Sequence, residues 1–335
     1  MGHRNFVRFD ASRTNIRATI HKLYVSTHHW YIAAAMKHRE RTKTIGIVLL
    51  ILSVFLAGCG TGGTDQESQN SDKTIRMGIV NWADAIAMSN LARVILEEEY
   101  DFTVETVYAD AGVVFSSIAQ GDNDLYLDMW LPVTHQSYME EFGDDLTLIS
   151  PTYEGARIGL VVPSYVSIDS IEDLNAAADR FDDQIVGIDT GAGIMQTTSR
   201  AIDEYDLDLR LTASSGPVMT AALQEAIDEE EWVVVTGWRP HWKFARWDLK
   251  FLEDPQGLYG EAETTYAVGT STFEQDFPEV TAFLNNFLLS DSQLGGLMGR
   301  IADSDAEPYA VAREWVADHP ELVEMWTETP PDGDS

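Results

Sequence analysis

TIRMGIVNWADAIAMSNLARVILEEEYDFTVETVY, the segment at residues 74–108, alternates between the sequence patterns of strands and of a helix. Its two ends, Thr74–Val80 and Thr103–Tyr108, are rich in residues typical of strands. Between them, Ala85–Glu99 places apolar residues at helical spacing. A strand, a helix and a second strand form the unit from which parallel sheets are built. The segment therefore predicts an α/β fold.

The alternation continues downstream, and a second series of strands and helices begins near Arg157. The predicted strands are Leu125–Trp130, Ile158–Val162, Ile185–Ile188, Trp232–Thr236 and Thr264–Val268, and the predicted helices are Val113–Gln120, Ile194–Glu204 and Pro217–Ile227, with another starting at the capping-box sequence Ser170–Asp173. From Thr272 onward the pattern is almost entirely helical, near 275–289, 291–302 and 308–318. This order predicts mostly parallel sheets.

Two α/β series predict two lobes. We expect lobe I to contain residues 74–160 plus 264–329 and lobe II to contain residues 161–263, with the strand Thr264–Val268 returning the chain to lobe I. Ligands of such folds bind at the carboxyl ends of strands and between domains. The sequence therefore predicts a ligand cleft between the lobes.

Composition and charge exclude several classes of protein. The chain has 335 residues, of which 44% are hydrophobic, and its net charge is −33, so global disorder and a nucleic-acid-binding surface are excluded. A single Cys excludes a disulfide scaffold and a CxxC site. Acidic residues are concentrated in 59–335, where 53 Asp and Glu face 13 Lys and Arg. We interpret them as a solvated coat suited to a saline environment, as in a halophile; an ordinary acidic extracellular protein is the alternative.

The N-terminal region has the pattern of a targeting signal. A basic stretch precedes the apolar run Ile45–Ala57, which ends in Leu-Ala-Gly-Cys59. This arrangement predicts a lipoprotein signal peptide at 36–58, lipidation of Cys59 and an extracytoplasmic protein anchored to the cell membrane by lipid. An uncleaved anchor with an incidental Cys is the alternative. Residues 1–35 are interpreted as an upstream extension, and 59–73 as a flexible tether.

Enzyme signatures are missing from the sequence. It contains no G-x-S-x-G elbow, no H-E-x-x-H pair and no P-loop. The three histidines after Cys59, which are His135, His241 and His319, do not cluster in the sequence. We therefore predict no enzymatic activity, no metal and no cofactor.

Three tryptophans fall near the carboxyl ends of predicted strands. Trp82 follows the first strand, Trp130 ends the strand Leu125–Trp130, and Trp238 is expected just past Trp232–Thr236. One such residue would be read as core packing, but three at equivalent positions indicate a binding pocket. Aromatic faces bind quaternary ammonium groups, which have no N–H to donate. The pattern predicts an aromatic box for such a cation.

A second feature suits an anion. Asp189-Thr-Gly-Ala-Gly193-Ile194 joins a strand to a helix, and the N–H groups at a helix N-terminus are free to bind anions. A plain strand-to-helix turn is the alternative. His135 adds a potential donor near the box, unless it is a surface or helix-capping residue. A cation box beside an anion site predicts a betaine as ligand.

The residues that carry these features resemble the substrate-binding proteins of glycine betaine ABC transporters. The matching blocks are Gly78–Trp82, Asp128–His135, Tyr153–Ala156, Gly187–Met195, Ser214–Pro217 and Thr236–Trp242. The resemblance implies a type II periplasmic-binding-protein fold, with two lobes, a hinge and a ligand cleft. It also implies that Trp82, Trp130 and Trp238 form an aromatic box around the trimethylammonium group. It further implies that the amides of Gly193 and Ile194, with the His135 side chain, hold the carboxylate.

The resemblance further implies capture of glycine betaine or a related betaine and its delivery to the permease and ATPase subunits of an ABC importer, for osmoprotection. Choline and carnitine remain alternative ligands. A lipid-anchored sensory or adhesion module of the same fold and a secreted hydrolase are alternatives from other classes. Whether His241 and Trp242 contact the ligand or support Trp238 stays open, with support favoured.

Overall fold

The structure, a computed structural model, describes residues 73–328. Its nine strands within that range are β1 (Thr74–Ile79), β2 (Thr103–Tyr108), β3 (Leu125–Leu131), β4 (Leu146–Pro163), β5 (Gln184–Val186), β6 (Arg210–Thr212), β7 (Val235–Arg239), β8 (Leu249–Phe251) and β9 (Glu263–Thr270). Cys59 and the predicted extension, signal peptide and nearly all of the tether lie outside the described residues.

Helices cover the strands and fill the C-terminal region. They are α1 (Ala83–Glu99), α2 (Ala111–Ala119), α3 (Gln136–Phe142), α4 (Gly193–Glu204), α5 (Gly216–Asp228), α6 (Lys243–Arg246), α7 (Phe273–Asp276), α8 (Pro278–Asn286), α9 (Asp291–Ala302), α10 (Pro308–Asp318) and α11 (Pro320–Thr327), with 3₁₀ helices at Gly143–Asp145 and Ile171–Phe181. No helix in the described range is long and apolar enough to cross a membrane.

The strands divide into two groups that share β4. The strand order is β2-β1-β3-β9-β4-β7-β5-β6, with β8 also paired to β4. Residues 146–156 of β4 pair with β9, whereas residues 157–163 pair with β7 and β8. The first lobe thus contains β1, β2, β3 and β9, and the second contains β5–β8. The α/β class and the two lobes are confirmed; the residue boundaries given to the lobes stay a prediction.

The expectation of mostly parallel sheets is only half right. β1 is parallel to β2 and β3, and β5 is parallel to β6 and β7. Every pairing of β4 and β9 is antiparallel. The helix-connected strands within each group are parallel, as the sequence pattern indicates. The antiparallel pairings arise because β9 lies between β3 and β4 and runs opposite to both, and because β4 also runs opposite to β7 and β8.

Several element boundaries also differ from the sequence prediction. β7 starts at Val235 rather than Trp232, so Trp238 lies inside a strand and pairs with Ile158. The predicted strand Ile158–Val162 is only the end of the 18-residue β4. The segment after Ser170 is a 3₁₀ helix, in which the Ser170 side chain caps the N–H of Glu172.

The first lobe is built around α1, a helix with buried residues on several faces. Ala85, Leu91, Val94 and Ile95 of α1 are fully buried. α1 contacts β3 on one side and both α9 and α10 on the other. This packing explains why the helical C-terminal region belongs with the first lobe, and it fixes Trp82, the residue that precedes α1.

Candidate ligand-binding site

A small, tightly lined cavity collects side chains from both lobes. Its lining residues are Trp82, Asp84, Trp130, Thr134, Ile158, Ile188, Ala192, Gly193, Ile194 and Trp238. The structure thus brings together five of the six residues expected from the sequence. The sixth, His135, is fully buried and stacks on Trp82, with a 5.7 Å ring separation and a 14° interplanar angle.

The three tryptophans reach this cavity from different kinds of element. Trp82 is the N-cap residue of α1, Trp130 is the penultimate residue of β3, and Trp238 lies within β7. Their exposed fractions are 6%, 3% and 5%. Trp238 was expected beyond a strand end, and that expectation is wrong, yet the pleat of β7 still turns its indole toward the cavity.

Each indole N–H donates to a carboxylate. Trp82 Nε1 donates to Asp189 at 2.9 Å, and Trp130 Nε1 donates to Asp128 at 2.8 Å. Trp238 Nε1 donates to Asp84 at 3.1 Å. An indole N–H lies in the ring plane, so these bonds hold the edge of each ring and do not occupy the face that a cation would contact.

These three aspartates were missed by sequence reasoning, because acidic residues are so frequent that none stood out. A local signal existed for one of them. Asp128 precedes its partner Trp130 by two residues within an otherwise apolar strand. A carboxylate in a buried strand requires a partner, and the neighbouring indole is one.

The buried carboxylates have shifted pKa values. Burial raises the pKa of Asp84 to about 6, although the bond from Trp238 and the charge of Lys243 oppose the shift. Burial and the nearby charge of Asp84 raise the pKa of Asp128 well above its usual range. A cation placed between the indoles favours the ionised form of both groups.

His135 is held as a neutral donor. Its Nδ1 accepts the backbone N–H of Trp130 at 2.9 Å, so the ring proton is assigned to Nε2. Burial lowers the pKa of His135 to about 3. Within residues 73–328, its buried Nε2 has no hydrogen-bond partner. The residue therefore offers one free N–H inside the protein.

Gly193 opens α4 and lies against the first lobe. A Cβ added to Gly193 would lie 1.7 Å from the carbonyl oxygen of Thr134, so only glycine fits this contact. The first N–H groups of a helix have no partner in the helix itself, and those of Gly193 and Ile194 lie at the cavity wall. This end of the cavity can accept an anion.

Glu263, at the start of β9, fixes the position of Thr134. Its carboxylate accepts the backbone N–H groups of Val133 at 2.7 Å and Thr134 at 2.9 Å, and it also accepts the Thr134 hydroxyl. Glu263 is 2% exposed. Sequence reasoning missed it, since its partners lie about 130 residues earlier in the chain.

Trp238 is supported on the side of α6. The ammonium of Lys243 lies 4.2 Å from the Trp238 ring centroid, and the His241 ring packs edge-on to the indole at 4.9 Å. Burial lowers the pKa of Lys243 to about 7. His241 and Trp242 line a separate groove that also borders Trp238. Both residues thus lie beside the box tryptophan, which fits a supporting role.

Comparisons with known proteins identify the family of this chain. The model of the OpuAC family, described as the substrate binding domain of ABC-type glycine betaine transport system, matches residues 73–318. The chain belongs to this family. It is a family of extracytoplasmic substrate-binding proteins of ABC transporters, so the resemblance inferred from the sequence is confirmed.

Individual relatives support the assignment. The chain is 39% identical over 147 residues to the glycine betaine/carnitine transport binding protein GbuC of Listeria monocytogenes, covering 43% of this chain and 49% of GbuC. The chain therefore spans about half the length of this relative. It is 32% identical over 125 residues to an uncharacterized protein of Chromohalobacter salexigens, covering 35% of this chain and 78% of that protein.

Solved structures show the same architecture. Lactococcal OpuAC, in a closed conformation complexed with glycine betaine, has a TM-score of 0.72 and 34% identity over 77% of this chain and all of that one. The glycine/betaine/L-proline-binding protein ProX of Borrelia burgdorferi has a TM-score of 0.73 and 32% identity over 76% of this chain and 97% of that one. A choline binding protein in complex with choline shares the fold at 24% identity.

Proposed function

We propose that this protein binds glycine betaine between its two lobes and delivers it to an ABC importer. The trimethylammonium group lies among Trp82, Trp130 and Trp238. The carboxylate accepts hydrogen bonds from the amides of Gly193 and Ile194 and from Nε2 of His135. The observation that carries the proposal is the unpartnered, buried Nε2–H of His135, a donor left over within residues 73–328 beside a box of indoles.

Choline makes poorer use of this site. Its hydroxyl cannot carry the negative charge that the start of α4 favours, and it accepts fewer hydrogen bonds than a carboxylate. The proposal assigns the ligand carboxylate to three neutral or partial-positive donors, whereas carboxylates accept the indole N–H groups around the cation. This polarity fits a zwitterion better than a simple cation.

The wider role follows from the family. Delivery requires a permease and an ATPase, and the imported solute serves osmoprotection in a saline environment. The Cys59 lipid anchor and the tether keep the protein at the outer face of the membrane. We further propose that the chain binds and releases its ligand unchanged, without enzymatic activity, metal or cofactor.

A calorimetric titration tests the ligand. Glycine betaine, choline and carnitine are titrated separately into the purified protein at high salt. We expect saturable binding of glycine betaine and at least tenfold weaker binding of choline. Equal affinity for both would remove the carboxylate site from the proposal. Absence of binding by all three, in protein shown to be folded, would overturn the proposed function.

Delivery is tested separately. The protein is combined with the purified permease and ATPase in liposomes, and betaine-dependent ATP hydrolysis and uptake are measured. Stimulation of both is expected. Betaine binding without stimulation would favour the sensory or adhesion module over the transport protein.

A further inference from the structure

Two of the three indole–carboxylate bonds join opposite lobes. Trp82 follows β1 in the first lobe, and its acceptor Asp189 follows β5 in the second, 107 residues later. Trp238 lies in β7 of the second lobe, and its acceptor Asp84 lies in the first turn of α1, 154 residues earlier. In these two bonds, each lobe therefore provides one indole donor and one carboxylate acceptor.

The third bond differs in this respect. Trp130 and Asp128 are two residues apart on the same strand, so their bond does not depend on how the lobes are arranged. Trp130 is oriented in either state of the cleft. Trp82 and Trp238 have their carboxylate partners only when the lobes are together.

The cross-lobe bonds complete the positioning of the rings. Trp82 is stacked on His135 of its own lobe, which fixes one face, while Asp189 fixes the ring edge from the other lobe. Trp238 is held by Lys243 of its own lobe, while Asp84 fixes its edge. A ring supported at both a face and an edge has lost its freedom to rotate about its side-chain bonds.

We propose that Asp84 and Asp189 are positioning residues that form a reciprocal closure latch, in which each carboxylate orients the box tryptophan of the opposite lobe. The latch rests on the proposed function, because its purpose is to assemble the cation box only when the lobes close on a ligand. In the open state both indole N–H groups bond to water, and each ring is held only at the face that its own lobe contacts. Closure around the ligand then supplies the two bonds, which fix the ring edges and orient the aromatic faces toward the cation.

The latch predicts how affinity is lost. A hydrogen bond to a charged acceptor is stronger than a neutral one, so removal of Asp189 should weaken glycine betaine binding by about ten- to a hundredfold. The loss should come mainly from faster dissociation, since the bonds exist only after closure. Asp189→Asn keeps a neutral Oδ1 acceptor and should recover part of the affinity.

A double-mutant cycle separates positioning from a direct effect on the ligand. Trp82→Phe keeps an aromatic face but has no N–H. Asp189→Ala is compared with wild type and again in the Trp82→Phe background, by calorimetry and stopped-flow fluorescence with glycine betaine. We expect at least a tenfold loss in the first comparison and less than a twofold loss in the second. Equal losses in both would overturn the latch.

The cycle with Asp189 is the primary test. Asp84 lines the cavity, so its removal could also change the surroundings of the ligand directly. The cycle of Asp84→Ala with Trp238→Phe is run in parallel. Coupling in both cycles supports a reciprocal latch, and coupling in neither overturns it. Coupling at Asp189 alone overturns reciprocity and reduces the latch to a single bond.

A matched control variant removes a hydrogen bond between the lobes that involves none of the three box tryptophans. Ser137 Oγ donates to Gln196 Oε1 at 3.0 Å from exposed positions in the two lobes. Ser137→Ala should change affinity by less than twofold. A loss as large as that of Asp189→Ala would mean that any cross-lobe bond matters equally, and it would overturn the assignment to these aspartates.

The outcomes also distinguish the latch from the proposed function. Circular dichroism and thermal melting first establish that every variant is folded. Failure of the wild-type protein to bind glycine betaine overturns the proposed function and the latch with it. Wild-type binding with additive mutational losses overturns the latch alone.

Discussion

The Cα of Gly193 faces the carbonyl oxygen of Thr134 so closely that a Cβ would lie 1.7 Å from that oxygen. The two residues belong to opposite lobes, and Thr134 is fixed by two bonds to Glu263, which also accepts the backbone N–H of Val133. Neither backbone can move aside cheaply. The start of α4 therefore reaches the ligand cavity only because residue 193 has no side chain.

Gly193→Ala should prevent full closure. The added methyl group overlaps backbone rather than a flexible side chain, so the lobes must stay apart and the anion site moves away from the box. We expect at least a hundredfold loss of glycine betaine affinity, measured by calorimetry, with little change in Tm. Gly295→Ala is the control, since a Cβ there meets nothing within 4 Å of the described atoms. Retained affinity in Gly193→Ala would contradict the close contact.

The box tryptophans should carry most of the cation affinity. Trp82→Ala or Trp238→Ala should each weaken binding at least tenfold, because a desolvated cation–π contact and a wall of the cavity are both lost. Trp232→Ala serves as the control. Trp232 packs on Phe181 and under Arg180, away from the cavity, so its loss should lower Tm and leave the Kd unchanged. Unchanged binding in both box variants would refute the box.

His135 should discriminate betaine from choline without titrating. Its pKa is lowered to about 3, so Nε2 keeps its proton and Nδ1 stays an acceptor throughout the range from pH 5 to 8. His135 should therefore add no pH dependence to glycine betaine affinity over that range, and any dependence seen in the wild type should persist in His135→Gln. His135→Gln should lose more affinity for betaine than for choline, as measured by parallel titrations. An equal loss for both ligands would argue against carboxylate binding by this residue.

His135 should also lower the free energy of unfolding at acidic pH. The unfolded chain takes up a proton on His135 below about pH 6.5, whereas the folded protein does so only near pH 3. Between these values the unfolded state binds more protons, so stability falls as the pH falls. His135→Gln removes this contribution, which amounts to about 2 kcal/mol at pH 5. Denaturant unfolding at pH 8 and pH 5 should show the wild type losing more stability than the variant.

Asp84 should make folding stability depend on pH in the opposite direction. Its pKa is raised to about 6, so between pH 4 and 6 the folded state binds the extra proton and stability declines as the pH rises. Asp84→Asn keeps an acceptor for Trp238 and removes the buried charge. We expect the variant to melt a few degrees higher than wild type at pH 8 and no higher at pH 4. A constant difference across that range would show that Asp84 does not titrate there.

The local sequence pattern predicted much of the secondary structure correctly. Residues 74–108 are strand, helix and strand as predicted, and β2 has the predicted bounds. Long apolar periodicity carries this information because each element buries one face independently of its partners. The strand Trp232–Thr236 was placed too early, since a run of apolar residues marks burial but does not say where pairing with β4 begins.

The sequence by itself determined the family, the α/β class and the tryptophans and the glycine, Gly193, that line the cavity, because these depend on residue types and on their places along single elements. Only the tertiary structure decided which carboxylates hold the indoles, which nitrogen of His135 is free, and that Glu263 fixes Thr134 against Gly193. Those relationships join residues that are distant in the chain, and a hydrogen bond depends on distances of a few ångströms. Because aspartates are so abundant in the sequence, the three that accept the indole N–H groups could be recognised only from their positions in the folded structure.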